Sequence, residues 1–385
     1  MNILLDFIPF QYFGGVTGAS SFTKAVYDSV SQRLGPQDRL FAAYDSGMPN
    51  SHHYNHSEMA GAYHAQLLDL SEKPLSAHIS ENRIDTFFIA IGQYYGKYPL
   101  QGIGCKVVMG IHDIWDVERE DSHVELTIRD KVAESRWGWT KRMINIYSGR
   151  YNRQQTAIYK NIIPLYAAPA TVAFTVSGYT RNALKYYFKE LAEKDILVCY
   201  SPARSTEMQQ RVENQELGRL IGTGKPYLFQ LAANRKLKNA HTLIKVYQRL
   251  LTDHPDLHLL TLKYGHSVHP QHIDITYLSD SDLQHAYKHA HALVFGSYFE
   301  GFGYPPVEAF RHGTPVVASN VTSIPEILAD AAVYFSPFYP ADMYRAIKTV
   351  LNDHDCRKEQ ISRRYAEVSR RQEADLQMLV DKIFN

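Results

Sequence analysis

Short apolar runs alternate along the chain with longer segments in which apolar residues recur every three or four positions. This alternation predicts strands that are each followed by a helix, and therefore a parallel sheet. The predicted strands are Asn2–Ile8, Arg39–Ala43, Thr86–Ile91, Lys106–Ile111, Thr171–Val176, Pro226–Leu231, Leu257–Leu262, Ala292–Phe295, Pro315–Ala318 and Ala332–Phe335. The predicted helices include Ser21–Leu34, Thr180–Leu191, Ala240–Asp253 and Asp282–His289. The chain is therefore expected to have an α/β fold.

A polar stretch separates two series of predicted strands, and a length of 385 residues suits two domains. We predict two Rossmann-like, doubly wound domains that face each other across a cleft. The predicted boundaries are 1–200 for the first domain, 201–225 for a linker, 226–360 for the second domain and 361–385 for a final helix. Ligands of open α/β sheets bind beyond the carboxyl ends of the strands, so the cleft is the expected site.

The composition narrows the class of protein. With 41 Lys+Arg against 40 Asp+Glu, the net charge of +1 argues against a dedicated nucleic-acid binder. The three cysteines form no CxxC motif or disulfide framework, which favours a reducing compartment. No apolar run approaches the roughly 18–20 residues that span a bilayer, and the first residues do not resemble a signal peptide. We therefore expect a soluble, cytoplasmic protein.

The first predicted strand is followed by the glycine-rich turn FGGVTGASSF. Gly14, Gly15 and Gly18 would let backbone amides approach a phosphate or a sugar at the positive end of a helix. The spacing GGxxG differs from the GxGxxG fingerprint of dinucleotide-binding folds, which argues against a nicotinamide oxidoreductase. A tight turn without a ligand remains the alternative.

His112 and Asp113 come directly after the strand predicted over Lys106–Ile111. Polar groups at the carboxyl end of a parallel strand face the expected cleft rather than the core. The alternative is structural: Asp113 caps the next segment and His112 is satisfied locally.

The most informative segment is ALVFGSYFEGFGYPPVEAFRHGTPVVASNVTSIPEIL. Glu300 lies in a loop after a strand, and Pro305 and Pro306 are expected to open a helix that has Glu308 in its first turn. Two carboxylates thus flank a glycine loop and a positive helix end. This layout suits a phosphorylated, polyhydroxylated ligand, because carboxylates accept from hydroxyls and free amides bind phosphate. Alternatively, Glu308 only complements the helix dipole.

This segment strongly resembles the signature of the family 4 (group 1) retaining glycosyltransferases of the GT-B fold. The family pattern has two glutamates eight positions apart in an EGFGLPPLEA-like run, followed by GTPVVAS and a SLPE-like turn. The present sequence has EGFGYPPVEA, GTPVVAS and SIPE. The resemblance is dense from about 275 to 335 and extends loosely to the Gly14-Gly15 turn, His112-Asp113 and VSGYTRNAL.

The resemblance implies a role for each matching residue. Glu308 would bind the ribose hydroxyls of a nucleotide, and Glu300 the hydroxyls of the transferred sugar. Backbone amides of Phe302, Gly303 and the Gly14-Gly15 turn would lie near the sugar or the diphosphate. The first domain would then hold the acceptor and the second the nucleotide sugar, while the final helix would cross back to the first domain.

The sequence departs from the family at the diphosphate site. The family usually has an Arg and a Lys five residues apart after the first strand of the second domain, but Ala233 stands five residues before Lys238. A leaving diphosphate gathers negative charge in the transition state, so cations are still needed. We expect Arg235 and Lys238 to supply them, with Lys236 as a substitute; a solvated basic turn is the alternative. The resemblance also implies that His112 lies beside the reacting sugar.

The expected activity is transfer of a sugar from a nucleotide-diphospho-sugar to a hydroxyl of a saccharide or lipid-linked acceptor, without cofactor or metal. The expected catalytic residues are Glu300, His112, Lys238 and Arg235. Retention would follow a same-face mechanism, with Glu300 as a nucleophile the alternative. Bacterial surface polysaccharide or glycoconjugate assembly is the expected setting. A nucleotide-sugar epimerase, a phosphorylase and a catalytically silent sugar-nucleotide-binding subunit remain as alternatives.

Two patterns resemble metal sites. Asp280-Ser281-Asp282 looks like a DxD motif, but it directly precedes a predicted helix, where such residues cap and complement the dipole. His285, His289 and His291 have spacing that could hold zinc, but no carboxylate or HExxH pattern accompanies them. We therefore expect no bound metal.

Basic residues interleave with tryptophans and apolar residues over 129–160. This composition suits peripheral contact with an anionic membrane, on its inner face, or with a polyprenyl-diphosphate acceptor. A solvated helix face is the alternative. Nothing in the sequence sets the oligomeric state.

Overall fold

The computed structural model describes residues 1–13, 18–48, 54–118, 135–147, 150–204, 207–355 and 357–385. They form two compact units. The first contains the described residues of 1–121, 134–204 and 371–385, and the second those of 205–370. Each unit contains one parallel sheet with helices between successive strands, which confirms the predicted α/β fold with two doubly wound sheets.

In the described part of the first unit, seven parallel strands form a sheet of order β3-β2-β1-β4-β5-β6-β7. Their bounds are β1 Asn2–Asp6, β2 Arg39–Tyr44, β3 Gln66–Asp69, β4 Thr86–Ile89, β5 Lys106–Gly110, β6 Thr171–Thr175 and β7 Ile196–Val198. The order reverses between β1 and β4, and the carboxyl ends of strands on either side of such a reversal form a crevice.

The helices of the first unit cover an almost fully buried sheet. They are α1 Ile8–Phe13, α2 Gly18–Arg33, α3 His56–Ala62, α4 Leu75–Glu81, α5 Trp115–Glu118, α6 Arg136–Tyr147, α7 Arg150–Ala167 and α8 Gly178–Tyr187, with short 3₁₀ turns at Gly92–Tyr95 and Lys189–Leu191. Leu4, Phe87 and Val107 of three neighbouring strands share one apolar cluster with Ile162 of α7. Continuous apolar strands of this kind are typical of parallel sheets that are covered on both faces.

In the second unit, the described residues form a six-stranded parallel sheet of order β10-β9-β8-β11-β12-β13. Its strands are β8 Tyr227–Gln230, β9 His258–Leu262, β10 His272–Ile275, β11 Ala292–Phe295, β12 Val316–Ser319 and β13 Val333–Phe335. Its helices are α9 Gln215–Gly222, α10 Ala240–Leu250, α11 Asp280–His289, α12 Tyr304–Arg311, α13 Ile324–Leu328 and α14 Pro340–Asn352, with 3₁₀ turns at Lys236–Lys238 and Ala329–Ala331. The order reverses between β8 and β11.

The last helix, α15, runs over Lys358–Phe384, and its residues from Arg371 onward pack within the first unit. There, Gln372 donates to the carbonyl of Ser201 at 2.5 Å. The stretch 201–225, treated above as a linker, contains helix α9, which is capped by the side chain of Asn214. Within the described ranges, no helix is both long and apolar enough to cross a membrane.

Candidate functional site

The carboxyl edge of the second sheet brings together two residues that the sequence analysis took from separate motifs. Lys238 ends the 3₁₀ turn after β8, and Glu300 lies in the loop after β11. The ammonium group of Lys238 forms an ion pair with Glu300 Oε1, and the two side chains are only 14% and 15% exposed. The ring of Phe295 lies 5.0 Å from Lys238 Nζ and adds a cation–π contact. This pair is at the point where the order of the sheet reverses.

Hydrogen bonds fix the backbone around Lys238. Gln230 Nε2, at the end of β8, donates to the Lys238 carbonyl at 2.6 Å. Asn239 is fully buried and has a φ of +59°, a left-handed conformation that asparagine tolerates better than most residues. Its Oδ1 accepts from the hydroxyl of Tyr298 at 3.0 Å, and its Nδ2 donates to the Pro337 carbonyl at 3.1 Å. Asn239 therefore ties the lysine turn to the loops after β11 and β13.

The Glu300 loop is held by the segment after β12. The Thr322 hydroxyl accepts from the Glu300 amide at 3.1 Å and donates to the Glu300 carbonyl at 3.0 Å. The Ser323 hydroxyl donates to the same carbonyl at 2.9 Å. Gly303 has a φ of +100°, which favours glycine, and the Phe302 side chain is buried. Ser323 belongs to the SIPE motif, but its position in the sequence did not predict this positioning role.

Glu308 lies on α12, where its Oε2 accepts a 2.7 Å hydrogen bond from the hydroxyl of the fully buried Tyr287. Its predicted place in the first helical turn was wrong. Helix α12 begins at Tyr304, so Glu308 is its fifth residue and belongs to the second turn. Proline is accepted throughout the first turn, where amides have no intrahelical partner, so Pro305 and Pro306 do not mark the first helical residue.

The cations predicted to hold a diphosphate are all placed on one short turn. Arg235 directly precedes the 3₁₀ turn Lys236–Lys238 and has an exposed side chain. Lys236 and Lys238 belong to the turn itself; Lys236 is half-buried, and the Lys238 side chain is largely buried. Three positive charges therefore lie within four successive residues at the carboxyl edge of the second sheet.

His112, in the first unit, follows β5. Its ring hydrogen-bonds to the Ala90 carbonyl, while its Nε2 is buried and has no partner among the described residues. The bond to Ala90 is therefore made by Nδ1, which leaves Nε2 as an acceptor in the neutral ring. Burial lowers the pKa of His112 to about 4, so the ring is neutral near pH 7. The Phe22 ring packs edge-on at 4.6 Å between centroids.

The structure describes only some of the other candidate residues of the first unit. Gly14 and Gly15 lie outside the described residues, and Gly18 is the first residue of α2. Asp113 Oδ1 accepts a hydrogen bond from the amide of Trp115 at 3.3 Å, as expected for a residue that caps the next segment.

The residues that resembled metal sites form hydrogen bonds to the backbone of the segment before α9. The Asp282 carboxylate accepts from the amides of Glu213 and Asn214 at 2.9 and 3.0 Å. The Gln209 amide donates to the Ser281 hydroxyl, and a 2.9 Å hydrogen bond joins His285 Nε2 to the Gln209 carbonyl. Among the described residues, no three His, Cys, Asp or Glu side chains are grouped so that they could hold a metal ion.

The stretch that carries Lys238, Glu300 and Glu308 matches a known family. Residues 213–367 fit the family described as "Glycosyl transferases group 1". This match covers less than half of the chain, and it confirms the resemblance to the group 1 glycosyltransferases found in the sequence.

Curated relatives show the same likeness. The chain is 27% identical over 187 residues to the O-antigen chain mannosyltransferase RfbU of Salmonella typhimurium, an alignment that covers 46% of this chain and 50% of that protein. It is 48% identical over 61 residues to the O-antigen chain mannosyltransferase B of Escherichia coli, over 16% of each chain. These alignments thus span half or less of each relative's own length.

Solved structures establish the fold of the chain. The structure of Anabaena Alr3699/HepE in complex with UDP-glucose has a TM-score of 0.65 and 13% identity to this chain, and the match covers 100% of this chain and 99% of the other. The predicted GT-B fold, with two parallel-sheet α/β domains, is therefore confirmed.

Proposed function

We propose that the chain is a retaining glycosyltransferase that moves a sugar from a nucleotide-diphospho-sugar to a hydroxyl acceptor. The observation that carries the proposal is the Lys238–Glu300 ion pair at the reversal point of the second sheet, within the segment that matches the group 1 family. A cation and a carboxylate side by side suit the two ends of such a donor, its diphosphate and its sugar.

Each residue has a part in the proposed reaction. Arg235, Lys236 and Lys238 stabilise the departing diphosphate, so the protein supplies positive charge from its own side chains. Glu300 accepts hydrogen bonds from the transferred sugar, and Glu308 accepts them from the ribose. The bond between the sugar and the diphosphate breaks, the acceptor oxygen bonds to the same carbon on the same face, and its proton passes to the leaving phosphate.

His112 Nε2 is an acceptor without a partner among the described residues, which suits a hydrogen bond from a sugar hydroxyl. Its low pKa keeps this acceptor available near neutral pH. His112 therefore orients the sugar in the proposed mechanism and does not act as a cationic acid.

The setting that we propose is bacterial surface polysaccharide assembly. It is supported by the relatives, whose names describe O-antigen mannosyltransferases. A mannose-bearing sugar nucleotide therefore comes first in any donor screen, followed by UDP-glucose, which a structural neighbour binds.

We also propose that α6 contacts an anionic membrane at its cytoplasmic face. Trp137 and Ile144 are 73% and 63% exposed and lie two helical turns apart on one face, and Lys141 lies 5.4 Å from the Trp137 ring. Exposed tryptophan beside cations is typical of interfacial helices. Flotation with phosphatidylglycerol vesicles should fall when Trp137 and Ile144 are both changed to Ser, whereas Tyr186→Ser, at an 80% exposed site, should change nothing. Equal flotation of both variants would contradict this contact.

The glycosyltransferase proposal is tested by thermal unfolding with UDP, GDP, ADP, CMP and their sugar conjugates, without added metal. A ligand at 100 times its Kd should stabilise the folded state by about 2.7 kcal/mol. We expect one nucleoside diphosphate to stabilise the protein in this way. Glu308→Gln should weaken that stabilisation, whereas Glu216→Gln, a change at an exposed glutamate of the same unit, should leave it unchanged. No shift with any nucleotide would contradict the proposal.

Turnover separates the alternatives once a donor binds. A transferase releases nucleoside diphosphate and extends an acceptor, an epimerase converts the donor without one, and a silent subunit binds the donor without converting it. Product analysis by mass spectrometry and by the one-bond C–H coupling at the anomeric carbon would give both the reaction and its stereochemistry.

A further inference from the structure

The carboxyl edge of the second sheet carries a pocket of about 280 Å³ beyond the ends of β12 and β13. Its lining residues include two aromatic residues, Tyr334 and Phe338, and three polar residues, Asn320, Ser336 and Asp342, whereas the lining residue Phe335 is buried in the core. Its volume is close to the lower limit of small-molecule sites, about 300 Å³, and suits one or two sugar units.

The lining favours a neutral, polyhydroxylated ligand. Aromatic faces pack against the C–H face of a sugar ring, while amide, hydroxyl and carboxylate groups exchange hydrogen bonds with its hydroxyls. All lining residues are in the described part of the chain, and none of them is a lysine or arginine. A phosphate would need such cations, so the pocket does not continue the diphosphate site.

The lining includes an exposed aromatic residue, Phe338, whose exposed fraction is 45%. The polar side is more rigid: Asp342 Oδ2 accepts from the Ser336 amide at 2.7 Å, and Oδ1 accepts from Arg345, which does not line the pocket, at 2.5 Å. The carboxylate is thus held in place and still has lone pairs for a ligand, because each of its oxygens can accept two hydrogen bonds.

The pocket is connected to the donor-site residues on both sides. Asn320 is two residues before Thr322, whose hydroxyl holds the Glu300 backbone. On the other side, the rings of Phe338 and Tyr298 lie 5.6 Å apart, and the Tyr298 hydroxyl bonds to Asn239 beside Lys238. A sugar in the pocket would therefore lie on the same edge of the sheet as the Lys238–Glu300 pair.

We propose that this pocket is a saccharide-binding subsite, separate from the donor site, that holds a neutral sugar unit of the acceptor glycan. The identity of that glycan as the acceptor rests on the proposed function. The binding of a neutral sugar does not, and it can be measured without turnover.

The test is saturation-transfer difference NMR on the full chain with the methyl glycosides of α-mannose, α-glucose, β-galactose and β-N-acetylglucosamine. We expect saturation of at least one glycoside, and we expect it to persist with excess nucleoside diphosphate and in Lys238→Ala. Phe338→Ala and Asn320→Ala should each weaken the affinity for the glycoside at least about fivefold, which is the effect expected when one good contact is lost. The matched control is Tyr277→Ala, which removes a 68% exposed ring of the same unit and should change nothing.

Three results would overturn the subsite. The first is that none of the four glycosides shows saturation. The second is that the bound glycoside is displaced by nucleoside diphosphate, or that its binding is lost in Lys238→Ala. The third is that both pocket variants keep the wild-type affinity for the glycoside and a native circular dichroism spectrum. Failure of the proposed function looks different: no nucleotide binds or turns over, whereas glycoside binding remains and stays sensitive to Phe338→Ala.

Discussion

Lys238 and Glu300 form an ion pair at the carboxyl edge of the second sheet, and both side chains are largely buried. Removing one partner of such a pair leaves the other charge without compensation in a poorly solvated place. Each residue therefore fixes the position of the other before any ligand binds. An ammonium group has three N–H donors, so Lys238 can keep Glu300 as a partner while it donates to a phosphate.

The first prediction concerns this pair. Glu300→Ala and Lys238→Ala should each lower kcat/KM by at least about a hundredfold, because each removes a group that stabilises the transition state. The double variant should lose much less than the product of the two single losses, since residues in contact are coupled. The measurement is steady-state kinetics with the donor found in the nucleotide screen.

Lys225→Ala is the control for this first prediction. Lys225 also forms an ion pair, with Asp256, but the two side chains are 46% and 72% exposed. Exposed ion pairs contribute little to stability, so the kinetics of Lys225→Ala should be those of the wild type. Near wild-type rates in either active-site variant, or strictly multiplicative losses, would contradict the assigned roles.

The pair also shows how far the sequence could predict the site. Lys238 and Glu300 each follow a predicted strand, so their places at the carboxyl edge could be predicted from strand ends alone. They are 62 positions apart in the chain, and they meet because β8 and β11 are neighbours in the sheet. Alternation of strands and helices does not specify which strands are neighbours, so the contact itself could not be predicted.

The strands of the fold also differ in how far the sequence could predict them. Every predicted strand is present, and all of them except the edge strand β13 lie in the middle of a parallel sheet, where a strand is buried on both faces and has a continuous apolar run. Three strands were not predicted, β3, β7 and β10, and each of these is at an edge of its sheet. Edge strands pair on one side only, so β3 (QLLD) and β10 (HIDI) carry polar residues, while β7 (ILV) is apolar but only three residues long.

The second prediction concerns Tyr287, whose hydroxyl donates to Glu308. Tyr287→Phe should raise the Kd of the nucleoside diphosphate about 2- to 10-fold, the usual worth of one hydrogen bond, and should leave kcat nearly unchanged. Tyr247→Phe is a close control, because Tyr247 is also a fully buried helical tyrosine whose hydroxyl bonds elsewhere, to the Leu257 carbonyl. Equal effects of the two changes on binding would show that Tyr287 acts only through stability.

The third prediction uses the pKa of His112, which burial lowers from 6.5 to about 4. Between these values an unfolded chain takes up a proton on this histidine and the folded chain does not, so the free energy of unfolding must fall as the pH drops. Above the upper value both states are neutral and the effect vanishes. His112→Gln should therefore reduce the stability lost between about pH 7 and pH 5 by up to about 2 kcal/mol.

Urea unfolding at the two pH values measures this difference. His64→Gln, at an exposed histidine of the same unit, should leave the loss unchanged. The burial of His272 and His312 likewise lowers their pKa values to about 4, so some acid sensitivity should remain in His112→Gln. An identical loss in wild type and His112→Gln would mean that the His112 ring is already protonated or is solvated in the folded chain.

The last prediction concerns Thr322, whose hydroxyl both accepts from and donates to the Glu300 backbone. If these bonds position Glu300, Thr322→Ala should lower kcat about tenfold, because a small misplacement of a catalytic group is costly. Nucleotide binding should change little, since Glu308 and the lysine turn are untouched, and Thr322→Ser should restore most of the rate. Thr349→Ala removes a hydroxyl that bonds within its own helix, to the Arg345 carbonyl, and serves as the control. A tenfold loss in both the Ala and the Ser variant would assign the effect to the threonine methyl group, and no loss in either would leave the loop fixed by Ser323 alone.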